Sequence, residues 1–140
     1  MVRTLHVFMI VFVTVAGLMS LSASAQTADE ALATLKAEAK SAESTFQGFS
    51  TAAGKQFFDQ KHGNDLSCSS CHTENPAAAG KHAKTGKLIE ALAPAANPER
   101  FTDAKKVAKW FKRNCHDVLA RECTPQEKGD VLAYLLTVKP

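Results

Sequence analysis

The chain has 140 residues, 45% of them hydrophobic, with 17 basic and 14 acidic side chains and a formal net charge of +3. That length suits one small domain. So nearly balanced a charge gives no electrostatic case for binding nucleic acid.

The chain opens with Arg3, an almost unbroken apolar run from Val7 to Leu18, and then Ala23-Ser24-Ala25 ahead of Gln26. A basic start, a short apolar core and a small-residue cleavage site describe a secretory signal. The run is shorter than the roughly 20 residues a bilayer span requires. Residues 1–25 are therefore expected to be a cleaved signal peptide, and the remainder a soluble protein exported to an oxidising, periplasmic compartment. Cleavage would remove Arg3 but none of the acidic residues, so the net charge falls from +3 to +2. All three methionines (Met1, Met9, Met19) would leave with it, whereas all four cysteines would stay.

Thr27-Ala28-Asp29-Glu30 is a capping box ahead of a first helix. Leu32, Leu35, Ala39, Ala42 and Phe46 recur along it at helical spacing as one apolar stripe. After a break at "GFST", Ser50 or Thr51 can cap a second helix, "AAGKQFFDQK", ending near Gly63. This divides the mature chain into an N-terminal helical extension, residues 26–49, and a second unit, residues 50–140. Residues 63–87 carry scattered Gly, Pro, Ser and Asn with little periodicity and read as loop, which "ALAPAANPER" continues. So long a loop is anomalous in a compact domain unless a bound group organises it.

That loop contains Cys68-Ser69-Ser70-Cys71-His72, the C-x-x-C-H signature of c-type haem attachment. In a helical turn, residues three apart face the same way. The sulfurs of Cys68 and Cys71 can then form thioethers with two vinyl groups on one porphyrin edge. His72 follows as the proximal iron ligand, a neutral nitrogen donor. Two other readings compete. A thioredoxin-like redox pair would follow an apolar strand, and "KHGNDLS" is not one. A zinc site would need two further ligands, for which Cys115 and Cys123 stand too far apart to form the usual tight pair. The expected cofactor is one covalent haem c.

A third helix, "DAKKVAKWFKRN", can be capped by Thr102. Val107, Trp110, Phe111 and Asn114 fall on one face of it, with Lys105, Lys106, Lys109, Lys112 and Arg113 away from that face. Five basic residues without an acid form either an ordinary solvated face or a docking patch for an acidic redox partner. With no methionine after residue 25, the candidates for the sixth iron position are Asn114, His62, His82, His116, a lysine or no residue. Asn114 continues the apolar stripe, where an unpaired amide is costly. It could equally be a helix-terminal amide bonded to backbone. His116 lies roughly 200° around the axis from it. Cys115 and Cys123 remain as a pair, for which a disulfide is the default in an exported protein. The fourth helix starts at Thr124-Pro125-Gln126-Glu127, a capping box with proline at the first position. Its Tyr134 and Leu135, with Gly54 and Phe58 of the second helix, suit a close crossing.

At this point the chain is similar to a known family. "TGKLIEALAPAANPERFTDAKKVAKWFKRNCHDVLARECTPQEKGDVLAYLL" resembles the sphaeroides haem protein group of monohaem cytochromes c. "CSSCHTENPAAAGK" and the "LLTVKP" tail also resemble the related cytochrome c″. The resemblance implies an all-α, class I cytochrome c-like wrap of about four helices around one covalent haem, with the Cys115–Cys123 disulfide in the distal loop. It implies that the residue before the first distal cysteine, here Asn114, is a dissociable distal iron ligand, although His116 departs from the pattern and stands close by as an alternative. It further implies ligand release on reduction, binding of a small diatomic ligand such as oxygen or nitric oxide, and electron supply from a dihaem cytochrome c and a membrane cytochrome b. Trp110 and Phe111 are candidates for packing on the haem, and Lys87 and Arg100 for its propionates. The competing functions are a permanent bis-histidine electron carrier, or a small haem enzyme acting on oxygen, peroxide or nitric oxide. An enzyme would want a distal acid-base group, for which His116 is the one sequence-local candidate. The helix period turns it away from the face of Asn114, so an electron-transfer or gas-binding haem protein is the expectation over an enzyme.

Overall fold

A computed structural model describes residues 26–140. The expected signal segment lies outside the described residues. In order come α1 (Ala28–Ala42), α2 (Thr51–Asp59), α3 (Ser69–His72), β1 (Gly80–Lys81), β2 (Leu88–Ile89), α4 (Ala104–Leu119) and α5 (Pro125–Thr137). The two strands pair antiparallel, Gly80 opposite Ile89 and Lys81 opposite Leu88. The architecture is all-α, and none of the described helices is long and apolar enough to cross a membrane.

Both capping boxes form. Thr27 Oγ1 accepts from the Glu30 amide at 3.1 Å and the Glu30 carboxylate accepts from the Thr27 amide at 2.6 Å. Thr124 and Glu127 repeat the arrangement, with Pro125 opening α5. Each cap satisfies amides at a helix start that have no partner within the helix.

The core is built on α5. Its Val131, Tyr134 and Leu135 pack with Phe58 of α2. Gly54 lets the two helices cross closely, because a Cβ there would overlap the Asp130 carbonyl and press on Tyr134 Cβ. On another side, Leu132 packs with Ala31 and Leu35 of α1. Asp130 is buried but satisfied, its Oδ1 accepting from the Ser50 amide at 2.7 Å and from Gln126 Nε2 at 2.8 Å.

Four expectations change. The cap of α4 is Asp103, whose carboxylate accepts from the Lys106 amide at 3.0 Å, whereas Thr102 Oγ1 donates to the Glu99 carbonyl at 2.9 Å. α1 buries Ala31, Leu35 and Ala39. Ala42 is exposed, and Phe46 lies beyond the helix, edge-on to Phe49 with ring centroids 5.1 Å apart. α2 stops at Asp59, short of Gly63. The expected loop contains one helical turn and a hairpin, making five helices among the described residues where about four were expected.

Candidate functional site

α3 is a single turn made possible by its serines. Ser67 is buried, its Oγ lies 2.8 Å from Ser69 Oγ and 3.0 Å from Ser70 Oγ, and it accepts from the Ser70 amide at 3.0 Å. The His72 amide then donates to the Cys68 carbonyl at 3.0 Å. Cys68, Cys71 and His72 therefore sit on one tight turn, which Thr73 ends with φ 62°. The hairpin closes over it. A Cβ at Gly80 would overlap the Cys71 carbonyl, and the Ala83 amide donates to Cys71 Sγ at 3.3 Å.

This turn opens onto a cavity of about 720 Å³, lined by Cys68, Cys71 and His72 and, from α4, by Val107, Trp110, Phe111 and Asn114. Phe57, Phe58, Leu92 and Phe101 add apolar walls, and Lys87 and Arg100 also line it. The sequence-expected residues thus converge. Arg100 donates from Nε to the Ala91 carbonyl at 2.9 Å and from one terminal nitrogen to the Glu90 carbonyl at 2.8 Å. Those two bonds leave three of its five N–H groups free. Burial, with a smaller contribution from the Arg100 guanidinium, lowers His72 to about 4. Its imidazole is therefore neutral at neutral pH, the form that donates to a metal.

The same environment argues against the two competing readings of the cysteine pair. Burial pushes the Cys68 thiol up to about 11, opposite to the depressed value of a reactive redox cysteine. Cys115 and Cys123 form a disulfide with Cα atoms 5.6 Å apart, which leaves no thiolate there for zinc. An apolar slot with two sulfurs and an imidazole on one turn, and basic side chains at its lining, fits a covalently held haem.

α4 continues unbroken through Leu119, so the helical geometry holds past Asn114. His116 consequently lies outside the cavity, in a separate groove with Lys109, Lys112, Arg113, Asp117 and Glu122. His62 is elsewhere too, its Nε2 2.9 Å from the Phe57 carbonyl and its ring 4.4 Å from the Phe57 ring. The basic residues of α4 are all exposed, but Lys106 and Arg113 also line the cavity, so the helix faces are less cleanly separated than spacing suggests. Trp110 is 48% exposed and carries the Arg113 guanidinium over its ring at 5.4 Å.

His82 also lines the cavity, although its sequence context points to the surface. Its Nδ1 accepts from the Lys84 and Thr85 amides at 3.3 and 3.2 Å, which places the ring proton on Nε2. Only the hairpin brings it there, and a hairpin with two-residue strands has no pattern to read. Phe57 and Phe101, which also line the cavity, carry no such sign in the sequence either. Phe101 adopts φ 65°, a conformation uncommon for a residue with a side chain and not announced by its neighbours.

A sequence family described as a domain of unknown function (DUF1924) matches residues 44–135. Cytochrome c″ of Methylophilus methylotrophus is 46% identical over 103 residues, 71% of this chain and 72% of that one. The cytochrome c-type protein SHP of Cereibacter sphaeroides is 52% identical over 69 residues, 49% of this chain and 53% of that one. The chain thus spans about half the length of SHP in that match. The crystal structure of oxidized cytochrome c″ superimposes with a TM-score of 0.73 at 40% identity, covering 81% of this chain and 95% of the other. The structure of oxidized SHP, described as an oxygen-binding cytochrome c, gives 0.69 at 36% identity, covering 79% and 96%.

Proposed function

Because the chain belongs to the DUF1924 family and is a monohaem c-type cytochrome related to cytochrome c″ and SHP, with one covalently bound haem, we propose that it is an exported, periplasmic electron carrier whose haem takes a small diatomic ligand after reduction. In this reading residues 1–25 are the cleaved signal, residues 26–49 an accessory extension and residues 50–140 the haem domain. Cys68 and Cys71 would hold the haem by thioethers and His72 would ligate its iron. Asn114 would be the dissociable second ligand to its iron, Trp110 and Phe111 would pack on the macrocycle, and Lys87 and Arg100 would meet its propionates.

One observation carries the reading: Asn114 lines the cavity onto which Cys68, Cys71 and His72 open, while His116 lies in a different groove. Methionine is absent after residue 25. When bound, the haem would supply a one-electron couple and, once reduced, a site for oxygen or nitric oxide. Asn114 makes that position conditional. Its amide oxygen is a hard, weak donor, matched to ferric better than to ferrous iron. The side chain would therefore hold the site closed in the oxidised protein and yield it after reduction. Around it, Val107, Trp110, Phe101 and Phe111 present apolar surface that disfavours water. SHP's description as oxygen-binding supports this assignment. Electron donors would be a dihaem cytochrome c and a membrane cytochrome b, and the exposed basic residues Lys105, Lys106, Lys109, Lys112 and Arg113 would steer an acidic partner.

A second reading, a permanent bis-histidine carrier, is favoured by one feature. His82 lines the cavity, although its Nε2 could ligate only if the ring proton moved to Nδ1 and the bonds from the Lys84 and Thr85 amides were given up. Absorption and EPR spectra of the holoprotein in both redox states separate the two. The first reading expects a low-spin ferric form and a high-spin ferrous form that binds carbon monoxide. A ferrous form that stays low-spin and refuses carbon monoxide supports the second.

A further inference from the structure

The end of α4 that follows Asn114 is firmly held. The Cys115–Cys123 disulfide staples it, Asn64 Nδ2 donates to the His116 and Asp117 carbonyls at 3.3 and 2.9 Å, and the Asn64 amide donates to the Val118 carbonyl at 3.1 Å. Among the described residues, no other helix packs closely along α4. Its direction is therefore set by its two ends and by Phe111, which packs on the cluster of α1 and α5. The other end springs from the turn at residues 100–103, where Phe101 sits at φ 65°. A residue with a side chain adopts that conformation only when its surroundings hold it there.

Besides its own bonds, Arg100 amide to Asn97 carbonyl and Thr102 Oγ1 to Glu99 carbonyl, this turn is held by the chain's N-terminal extension. The Gln26 backbone nitrogen, an α-ammonium once residues 1–25 are cleaved, donates to the Thr102 carbonyl at 3.0 Å, and Gln26 Nε2 donates to the Phe101 carbonyl at 2.8 Å. The Phe101 side chain lines the haem cavity and packs against the cluster of Ala31 and Leu35 from α1 with Leu132. Phe111, one turn before Asn114 on α4, lines the cavity and packs against the same cluster.

We propose that Gln26 is a positioning residue for distal ligation: anchored by α1, it fixes the turn from which α4 springs and so aims Asn114 into the haem cavity. The proposal rests on the reading of Asn114 as the distal ligand. α4 behaves as a rod stapled near Asn114 and steered from its far end. A tilt of about 10° displaces an atom at the roughly 5–6 Å outer radius of a helix by about 1 Å. A misplacement of that size is enough to degrade a directional contact. The segment outside the family match thereby acquires a role in the site.

The test uses ferric holoprotein titrated with imidazole, a probe that must displace Asn114, together with hydrogen exchange of α4. Losing one neutral hydrogen bond changes an equilibrium by about fivefold. Gln26→Ala and Gln26→Glu, which both remove the Nε2–H donor, should each tighten imidazole binding by about that factor. Both should also speed amide exchange in residues 104–111. Asn114→Ala should tighten imidazole binding more, and adding Gln26→Ala to it should then give no further gain. A lowered Tm with unchanged imidazole affinity in the Gln26 variants would overturn the proposal and leave the ligand assignment intact. A further fivefold gain on top of Asn114→Ala would also overturn it, since the effect would not pass through Asn114. An Asn114→Ala protein with the affinity and ferric spectrum of the parent would remove the ligand assignment itself, and the proposal with it.

Discussion

Replacing both distal cysteines by alanine removes the staple that follows Asn114, and the cost can be worked out. The bond joins residues eight apart in sequence. For a closed loop of about nine residues, the chain-entropy relation gives about 8.6 cal/mol/K, or about 2.6 kcal/mol at 25 °C. Both side chains are buried with Leu119 and contact Phe57, Phe111 and Val118, so the lost sulfurs add about 1 kcal/mol of packing. Alanine is the right replacement, because a serine hydroxyl in this cluster would add its own desolvation penalty. The expected total of roughly 3–4 kcal/mol corresponds to a Tm drop of the order of 10–20 °C for a chain of this size. Guanidinium unfolding of the ferric holoprotein, followed by both the haem band and far-UV circular dichroism, measures it. A loss below about 1 kcal/mol would refute the reasoning, and would mean that Asn64 and the packing of Leu119 hold this end of α4 unaided.

The remaining predictions concern other parts of the molecule. Gly54→Ala should cost about 3 kcal/mol or more, because its methyl would meet the Asp130 carbonyl at the α2–α5 crossing. Denaturation midpoints would show it, and a change within 0.5 kcal/mol would contradict the crossing. The hydrogen bond from Arg121 holds the Glu127 carboxyl below the ordinary carboxylate range, aided by the Thr124 cap. Since the folded value is the lower one, this contribution is present at neutral pH and is lost as pH falls through the folded value. Arg121→Gln should therefore lower Tm at pH 7 and flatten its decline in acid, and parallel Tm–pH curves would count against it. His116→Ala should leave the ferric spectrum unchanged, because the imidazole is outside the cavity. A perturbed spectrum would restore His116 as a ligand.

Legibility in the sequence follows the range of the interactions. The caps at Thr27 and Thr124 are local chemistry within four residues, and both form as written. Cys68, Cys71 and His72 carry their geometry in their spacing. The period of α4 is regular and continues through Leu119, so Asn114 and His116 diverge as the spacing indicates, but Asn114 is exposed, not buried as a continuation of the apolar stripe implies. The cap of α4 was misplaced by one residue because Thr102 and Asp103 are both good caps, and the choice depends on the Thr102 hydroxyl bonding back to Glu99. Features set by tertiary context gave no local sign. His82 reaches the cavity through a hairpin too short to show alternation, and Phe101 takes its left-handed backbone where residues from α1, α5 and the loop meet. The link from Gln26 to Phe101 spans 75 residues, beyond the reach of any periodicity.

The central claim is that a dissociable asparagine occupies the distal position. Its most direct test is the EPR and absorption spectrum of ferric Asn114→Ala beside the parent, with both proteins then reduced under carbon monoxide. The account predicts a low-spin ferric parent that becomes high-spin in the variant, and ferrous forms of both that bind carbon monoxide alike. An unchanged low-spin ferric spectrum in Asn114→Ala would contradict it and move the distal ligand to another residue, with His82 first in line.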